Sequence, residues 1–278
     1  MNTIRSLSLQ MFALSFFCTM RLSAQNKPGS FKVIGFYTAK SDLAHISFVQ
    51  EANKWFNEMG TQHHFIYDST NNWDNLNSKF LSQYQAVIFL DTRPGSLPQR
   101  KAFEEYMEQD GAWMGFHFAA FALTPSDFNQ DWNWYHNTFI GAGEYKSNTW
   151  HPTSAILRVE NGQHPATKNL PATITAAPCE WYRWQNDLRK NADIKILLSV
   201  DSSSFPLGNG SKPHEIWHSG YYPIVWTNTK YRMIYFNMGH NDMDYDGGTN
   251  KTLSSTFSSP MQNKLIVDAL LWLGNGKK

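Results

Sequence analysis

The chain has 278 residues, 41% of them hydrophobic and 15% aromatic, which is enough for a large core and too apolar for a disordered chain. A formal net charge of +1 leaves no basic field to draw in nucleic acid or an anionic lipid surface. With few charges, the 11 Trp and 12 Tyr suit a surface that handles sugars, because aromatic faces stack on the apolar faces of pyranose rings.

Residues 1–24 read as a secretory signal peptide: Arg5 in a basic start, an apolar run from Leu9 to Met20, and Leu22-Ser23-Ala24 as a small-residue cleavage site. The run is too short for a comfortable membrane span. A lipid anchor on Cys18 would meet bulky Phe16 and Phe17 where small residues are wanted. Cleavage takes away two basic residues, Arg5 and Arg21, and no acid, turning the net charge of +1 into −1. Cys179 is then the sole thiol and no internal disulfide can form. A secreted or periplasmic protein is expected, with no membrane contact in its mature form and residues 25–278 forming a single domain.

Phe31 to Tyr37 is apolar enough for a buried strand, and Ser41 or Asp42 can cap the next helix. In that helix Ile46, Val49, Ala52, Phe56 and Met59 recur at three- and four-residue steps, with Gly60 as the expected stop. A second strand is expected from Gln62 to Asp68, then a polar loop from Ser69 to Asn75. Ala86 to Leu90 is the cleanest buried strand, followed by Asp91 to Gly95 at a strand end. Pro98 opens a helix with Phe103, Tyr106 and Met107 facing inward.

Gly111 to Phe121 then reads as an apolar strand running into a Gly-containing turn, with His117 as its one polar residue, and on into a small-residue helix. Strand and helix alternate with short links, which predicts a parallel sheet covered by helices on both faces.

Beyond Leu123, residues 131–140 are expected to be helical and Gly141 to Asn148 a loop, with strands at Ser154 to Val159 and Ile194 to Val200. Pro178 to Tyr182 falls in a connection, and residues 202–213 in a Ser- and Gly-rich loop. Ile224 to Trp226 pairs with Met233 to Phe236 across a turn at Asn228, and an amphipathic helix runs from Met261 to Leu273.

His214-Glu215-Ile216-Trp217-His218 matches H-E-x-x-H, yet zinc hydrolysis needs both histidines on one helix face. Pro213 before it and Gly220 after it, with loop and strand flanks, argue against that helix. A second set is formed by polar residues at strand ends or between aromatics: His117, His136, His151, Glu180, Tyr182 and His240. Met238-Gly239-His240 follows its strand as Gly115-Phe116-His117 ends another. Strand ends carry the ligand crevice of open α/β sheets. A His/His/Glu group there can pass protons, since imidazole titrates near neutrality and burial raises a carboxylate toward it. It can equally bind a divalent metal. His164-Pro165 reads as a turn residue, and His45, His63 and His64 as structural or exposed.

Several ordered segments carry a family likeness. Gly111 to Ala119 is similar to a Gly-rich strand-turn with a G-x-H-x-A core. Trp134-Tyr135-His136 with Gly141 and His151-Pro152 is similar to a W-Y…G…H-P region, and His164-Pro165-Ala166-Thr167 to an H-P-A-T turn. Glu180-Trp181-Tyr182 resembles the D-E-W-Y motif with Cys179 in place of Asp, and Pro223 to Trp226 and Met238-Gly239-His240 resemble P-V-x-W and L-G-H. The chain resembles the ThuA-like (trehalose-utilisation) family over most of its length.

The resemblance implies an α/β, flavodoxin-like fold of the class I glutamine amidotransferase type, with a mostly parallel central sheet. It also implies a role in sugar metabolism beside dehydrogenases that make 3-keto-glycosides. Phe116 and Phe118 are bulkier than the family's usual residues beside this histidine, and Lys230-Tyr231-Arg232 lacks the glycines before the family's Arg. The amidotransferase elbow carries a nucleophilic Cys where this chain has His117, so thiol acylation is not expected.

The sequence therefore predicts an enzyme acting on a small carbohydrate, a glycoside or 3-keto-glycoside, with His117, Glu180 and His240 catalytic. Trp134, His136, His151, Trp181, Tyr182 and Asn241 are expected to bind substrate. Two alternatives stand beside it: a non-catalytic carbohydrate-binding protein stacking sugar on Trp134, Trp150 and Trp181, and a metal-dependent hydrolase of another substrate class.

Overall fold

Strands 32–36, 86–89 and 112–116 are each apolar enough to be buried on both faces, and this decides the centre of the molecule. The computed structural model describes residues 30–149, 152–204 and 220–276. The signal-peptide segment, Trp150, His151 and the His214 to His218 motif lie outside them.

The elements run β1 (Lys32–Phe36), α1 (Leu43–His63), β2 (Ile66–Thr70), α2 (Ser78–Leu81), β3 (Ala86–Phe89), α3 (Leu97–Glu108) and β4 (Ala112–Phe116). They continue with β5 (Tyr145–Asn148), β6 (Ile156–Val159), β7 (Thr173–Thr175), β8 (Tyr182–Trp184), β9 (Ile194–Val200), β10 (Pro223–Asn228), β11 (Tyr231–Phe236) and α4 (Pro260–Asn275). A nine-stranded sheet is ordered β2-β1-β3-β4-β11-β10-β9-β6-β7. From β2 to β11 the neighbours are parallel, in the 2-1-3-4-5 order of a flavodoxin-like sheet with β11 as the fifth strand. The hairpin from β10 to β11 then hands the sheet to an antiparallel extension, because β9, β6 and β7 have no helical crossovers between them.

Helices cover both faces, as the strand and helix alternation predicts. Phe48, Ala52 and Phe56 of α1 and Leu265, Ile266 and Leu270 of α4 pack on the face bearing Val33, Ile88, Met114 and Phe236. Phe103 and Met107 of α3 pack on the other, against Ile34, Val87, Phe89 and Trp113. Each fully buried Phe on these helices contributes on the order of 1.5–3 kcal/mol by leaving water. Among the described residues, no helix is long and apolar enough to cross a membrane.

Five local expectations are corrected, the first being the second strand, which begins at Ile66 and not at Gln62 because α1 runs on through His63. Helix α1 does not stop at Gly60 but closes at His64, which is left-handed (φ 62°) and donates its N–H to the Gly60 carbonyl. A Cβ on Gly60 would lie 2.8 Å from the Phe65 carbonyl oxygen, so this glycine serves the close return of the chain. Gly115 lies inside β4 and makes no turn; a Cβ there would come within 2.1 Å of the Trp113 indole. Residues 134–139 wind as a π-helical turn, and Tyr145 to Asn148, expected as loop, pairs antiparallel with β8.

Candidate functional site

The left-handed residue of the elbow after β4 is His117 itself, at φ +38°, a conformation that L residues avoid unless the surroundings hold it. The surroundings do hold it. Tyr235 of β11 donates its hydroxyl to the His117 carbonyl at 2.8 Å, and the Tyr182 ring lies 3.8 Å from the imidazole centroid. Since β11 runs parallel to β4 with Phe236 opposite Phe116, the two chains leave the sheet side by side. Gly239, at φ +130°, lets the second pass over the first: a Cβ there would stand 3.0 Å from His117 Cβ. His240 follows.

His117 Nδ1 is 3.1 Å from the Asn237 carbonyl, an acceptor, so this nitrogen carries the proton and Nε2 presents its lone pair. Nε2 faces Glu180 Oε2 at 3.5 Å, and His240 Nε2 faces the same oxygen at 3.8 Å. Asn148 Nδ2 donates to the other carboxylate oxygen, Oε1, and is itself oriented by the Tyr145 hydroxyl. Pairing of Asn148 with Tyr182 across β5 and β8 makes that contact. Burial, reinforced by Asp42 and opposed by His240, pushes the Glu180 carboxyl up to about 6. Burial also pushes His117 and His240 down to about 4, so both rings are neutral around pH 7.

A third imidazole completes the group. His45, in the first turn of α1, has its ring 5.4 Å from that of His117 and 5.2 Å from that of His240, and burial lowers it to about 4 as well. Asp42 caps the same helix by accepting from the Ala44 N–H at 2.8 Å. Burial would raise its carboxyl, but facing His45 and His240 and the Ala44 N–H hold it below the usual range. Above these residues opens a cleft of about 310 Å³ whose walls include Asp42, Glu180, His240, Asp242, Asp244 and Tyr245. It sits over the carboxyl ends of β1, β4 and β11, where a doubly wound sheet binds its ligands.

The family model described as ThuA, trehalose utilisation, matches residues 33–273, from β1 into α4. The chain belongs to the ThuA family. A ThuA-like protein from Bacteroides uniformis, solved as a crystal structure, is 36% identical, with a TM-score of 0.77 over 90% of this chain and 94% of that one. A ThuA-like protein from Parabacteroides merdae shares the fold at 19% identity, with a TM-score of 0.60 over 88% of this chain and 90% of the other. No curated protein matches the sequence.

In this ThuA-family chain the residues predicted to be catalytic, His117, Glu180 and His240, come together, but only Glu180 and His240 reach the cleft wall. His117 is fully buried behind Glu180. The predicted substrate residues are placed differently. Tyr182 lies under His117. Trp181 is fully buried and donates Nε1 to the Thr153 carbonyl at 2.8 Å, leaving no face for a sugar. Trp134, half-buried, stacks on Phe139, donates to the Tyr231 hydroxyl at 3.1 Å and packs against the core on the α3 side. His136 is buried beside Tyr135, and that burial, aided by the Arg93 charge, lowers its affinity for protons. Asn241 is spent on structure, bonding Glu51, Ser47 and Thr256. Cys179 is a bystander: burial pushes its thiol up to about 12, and it contacts the Asn237 carbonyl at 3.5 Å.

Sequence reasoning took Asp42 only as a possible helix cap and His45 as structural or exposed, and passed over Tyr245. The available signal was spacing: Asp42 and His45, three apart at a helix start just after a strand end, share one face of the first turn. Tyr245 gave no signal, since only the loop 242–253 folding back over α1 brings its hydroxyl to 3.1 Å from Asp42.

Proposed function

We propose that this protein is a secreted or periplasmic carbohydrate-active enzyme that cleaves a glycoside or 3-keto-glycoside by proton transfer through Glu180. The observation that carries the reading is the placing of the Glu180 carboxylate: one oxygen faces two imidazoles, the other is held by Asn148, and the group borders an open cleft. Membership of a family described by trehalose utilisation supports a sugar as the substrate class. An ordinary glycosidase sets two carboxylates across the scissile bond. Here the titratable groups that face Glu180 Oε2 are imidazoles, an arrangement that suits elimination beside a carbonyl.

In a 3-keto-glycoside the C3 carbonyl acidifies the proton on C2. The Glu180 carboxylate removes that proton, and the C–H electron pair moves onto the C3 oxygen as an enolate. Collapse of the enolate forms the C1–C2 double bond and breaks the C1–O bond, and the departing oxygen takes the proton back from Glu180. The products are an enone and a free alcohol or sugar; addition of water across the double bond completes hydrolysis. While Glu180 holds the proton, the His117 Nε2 lone pair accepts a hydrogen bond from it. Tyr245, half exposed on the cleft wall, gives the ring a stacking face.

The test is incubation of the protein with a panel of glycosides and 3-keto-glycosides, read by mass spectrometry, alongside Glu180→Gln. The variant keeps the Asn148 bond and should lose about 100-fold or more in turnover while still binding sugar by calorimetry. Full activity in the variant would overturn the role of Glu180. Sugar binding without turnover in the wild type would favour a binding module.

A further inference from the structure

We infer that Asp42, His45 and His240 form a binding site for one divalent transition-metal ion on the wall of the cleft. One ligand atom from each of the three lies within 4.8 Å of the others. Around a tetrahedral ion with bonds of about 2.0–2.1 Å, neighbouring ligand atoms stand roughly 3.4 Å apart, so side-chain rotations closing up to about 1.4 Å complete the site.

An independent observation points to an absent ligand. His45 Nε2 and His240 Nδ1 are buried and have no hydrogen-bond partner. The two side chains are at least nine-tenths buried. Buried polar atoms without partners are costly and uncommon. Here they belong to the two imidazoles that the cluster joins to one carboxylate, and the two rings stand nearly perpendicular with centroids 5.2 Å apart. The helix start tells against a cation, because the first turn of α1 carries the positive end of its dipole. The Asp42 carboxylate sits at that end and offsets it, and Glu180 and Asp242 on the same cleft add negative charge.

The donor set selects the class of ion. Two imidazoles and one carboxylate suit zinc, cobalt, iron(II), nickel or manganese, while calcium and magnesium prefer oxygen ligands throughout. Three protein ligands at the edge of an open cleft leave positions for water or for a substrate oxygen. The site stands on its own donors. Its catalytic use, polarising a sugar carbonyl beside Glu180, rests on the reading proposed above.

Calorimetric titration of chelator-treated protein with zinc or cobalt chloride, in the absence of sugar, separates the two. The expected result is one equivalent bound per chain, with a visible cobalt absorption band of nitrogen and oxygen ligation and a metal-dependent rise in Tm. His45→Asn, His240→Asn and Asp42→Asn should each weaken binding at least tenfold and abolish the rise in Tm, while His136→Gln, a buried histidine remote from the cleft, should bind as the wild type does. Near-UV circular dichroism shows which variants fold, and any one folded ligand variant suffices for the comparison. No saturable binding to the wild type, or undiminished affinity in a folded ligand variant, overturns the site. Because no sugar is present, neither result depends on the glycoside reading.

Discussion

Asn237 and His117, 120 residues apart in sequence, are joined by a 3.1 Å contact between the Asn237 carbonyl and His117 Nδ1. The side chain of the same asparagine brackets the Tyr182 backbone, accepting from its N–H at 3.0 Å and donating to its carbonyl at 2.9 Å. One residue at the end of β11 therefore sets the tautomer of the elbow histidine and anchors the strand that follows Glu180. Asn237→Ala leaves a buried N–H and C=O without partners, at a cost of about 1–3 kcal/mol each. Urea denaturation should show a loss of at least about 2 kcal/mol, and an unchanged midpoint would refute the bracketing role.

Gly239 occupies a backbone conformation that L side chains rarely adopt, and the space a Cβ needs is taken by Cβ of His117 and of Phe116. Gly239→Ala should cost on the order of 1–3 kcal/mol in backbone strain. Since the displaced neighbour is His117, turnover should fall by more than the stability loss explains. Paired urea melts and rate measurements check this, and a variant as stable and active as the wild type contradicts it.

Tyr245 is 51% exposed at the cleft and bonds Asp42 through its hydroxyl. If its ring stacks on sugar, Tyr245→Ala should raise KM about two- to tenfold, matching an aromatic contact of about 0.5–1.5 kcal/mol. The phenylalanine variant keeps the stacking face and should keep KM. Equal KM for wild type and alanine variant places the sugar elsewhere.

His136 predicts a pH dependence of stability. Burial, aided by Arg93, lowers it from 6.5 to about 3. Between those values the unfolded chain holds a proton that the folded protein refuses, so stability falls as pH falls from 6.5 toward 3. One such proton gives a slope of about 1.4 kcal/mol per pH unit. His136→Phe removes it, and its plot of unfolding free energy between about pH 4 and 6 should be flatter by that amount. Parallel plots would show that the folded protein accepts the proton.

Much of the fold was legible in local pattern. Apolar runs at Phe31 to Tyr37, Ala86 to Leu90 and Ala112 to Phe116 became buried strands because side chains on both faces had to be apolar. Pro98 at a helix start and Phe103, Tyr106 and Met107 facing inward were readable for the same reason: capping and periodicity act within one or two turns. The π-helical turn at 134–139 was not, since its aromatic periodicity resembles that of an α-helix and only packing around Tyr135 and Phe139 settles the winding.

The sequence by itself determined that His117 and His240 would each follow a buried strand, and that Glu180 and Tyr182 would lie close together in the chain. Tertiary structure decided what those residues face. The parallel register of β11 on β4 sets His240 beside His117, pairing of β5 with β8 turns Glu180 toward both, and the return of the chain after β1 delivers Asp42 and His45. It also withdrew Trp134, Trp181 and Asn241 into packing and hydrogen bonds. The division has a physical cause. Secondary structure follows from contacts between near neighbours in the chain, whereas the site is built from segments whose proximity depends on strand order and register, which no short window of sequence contains.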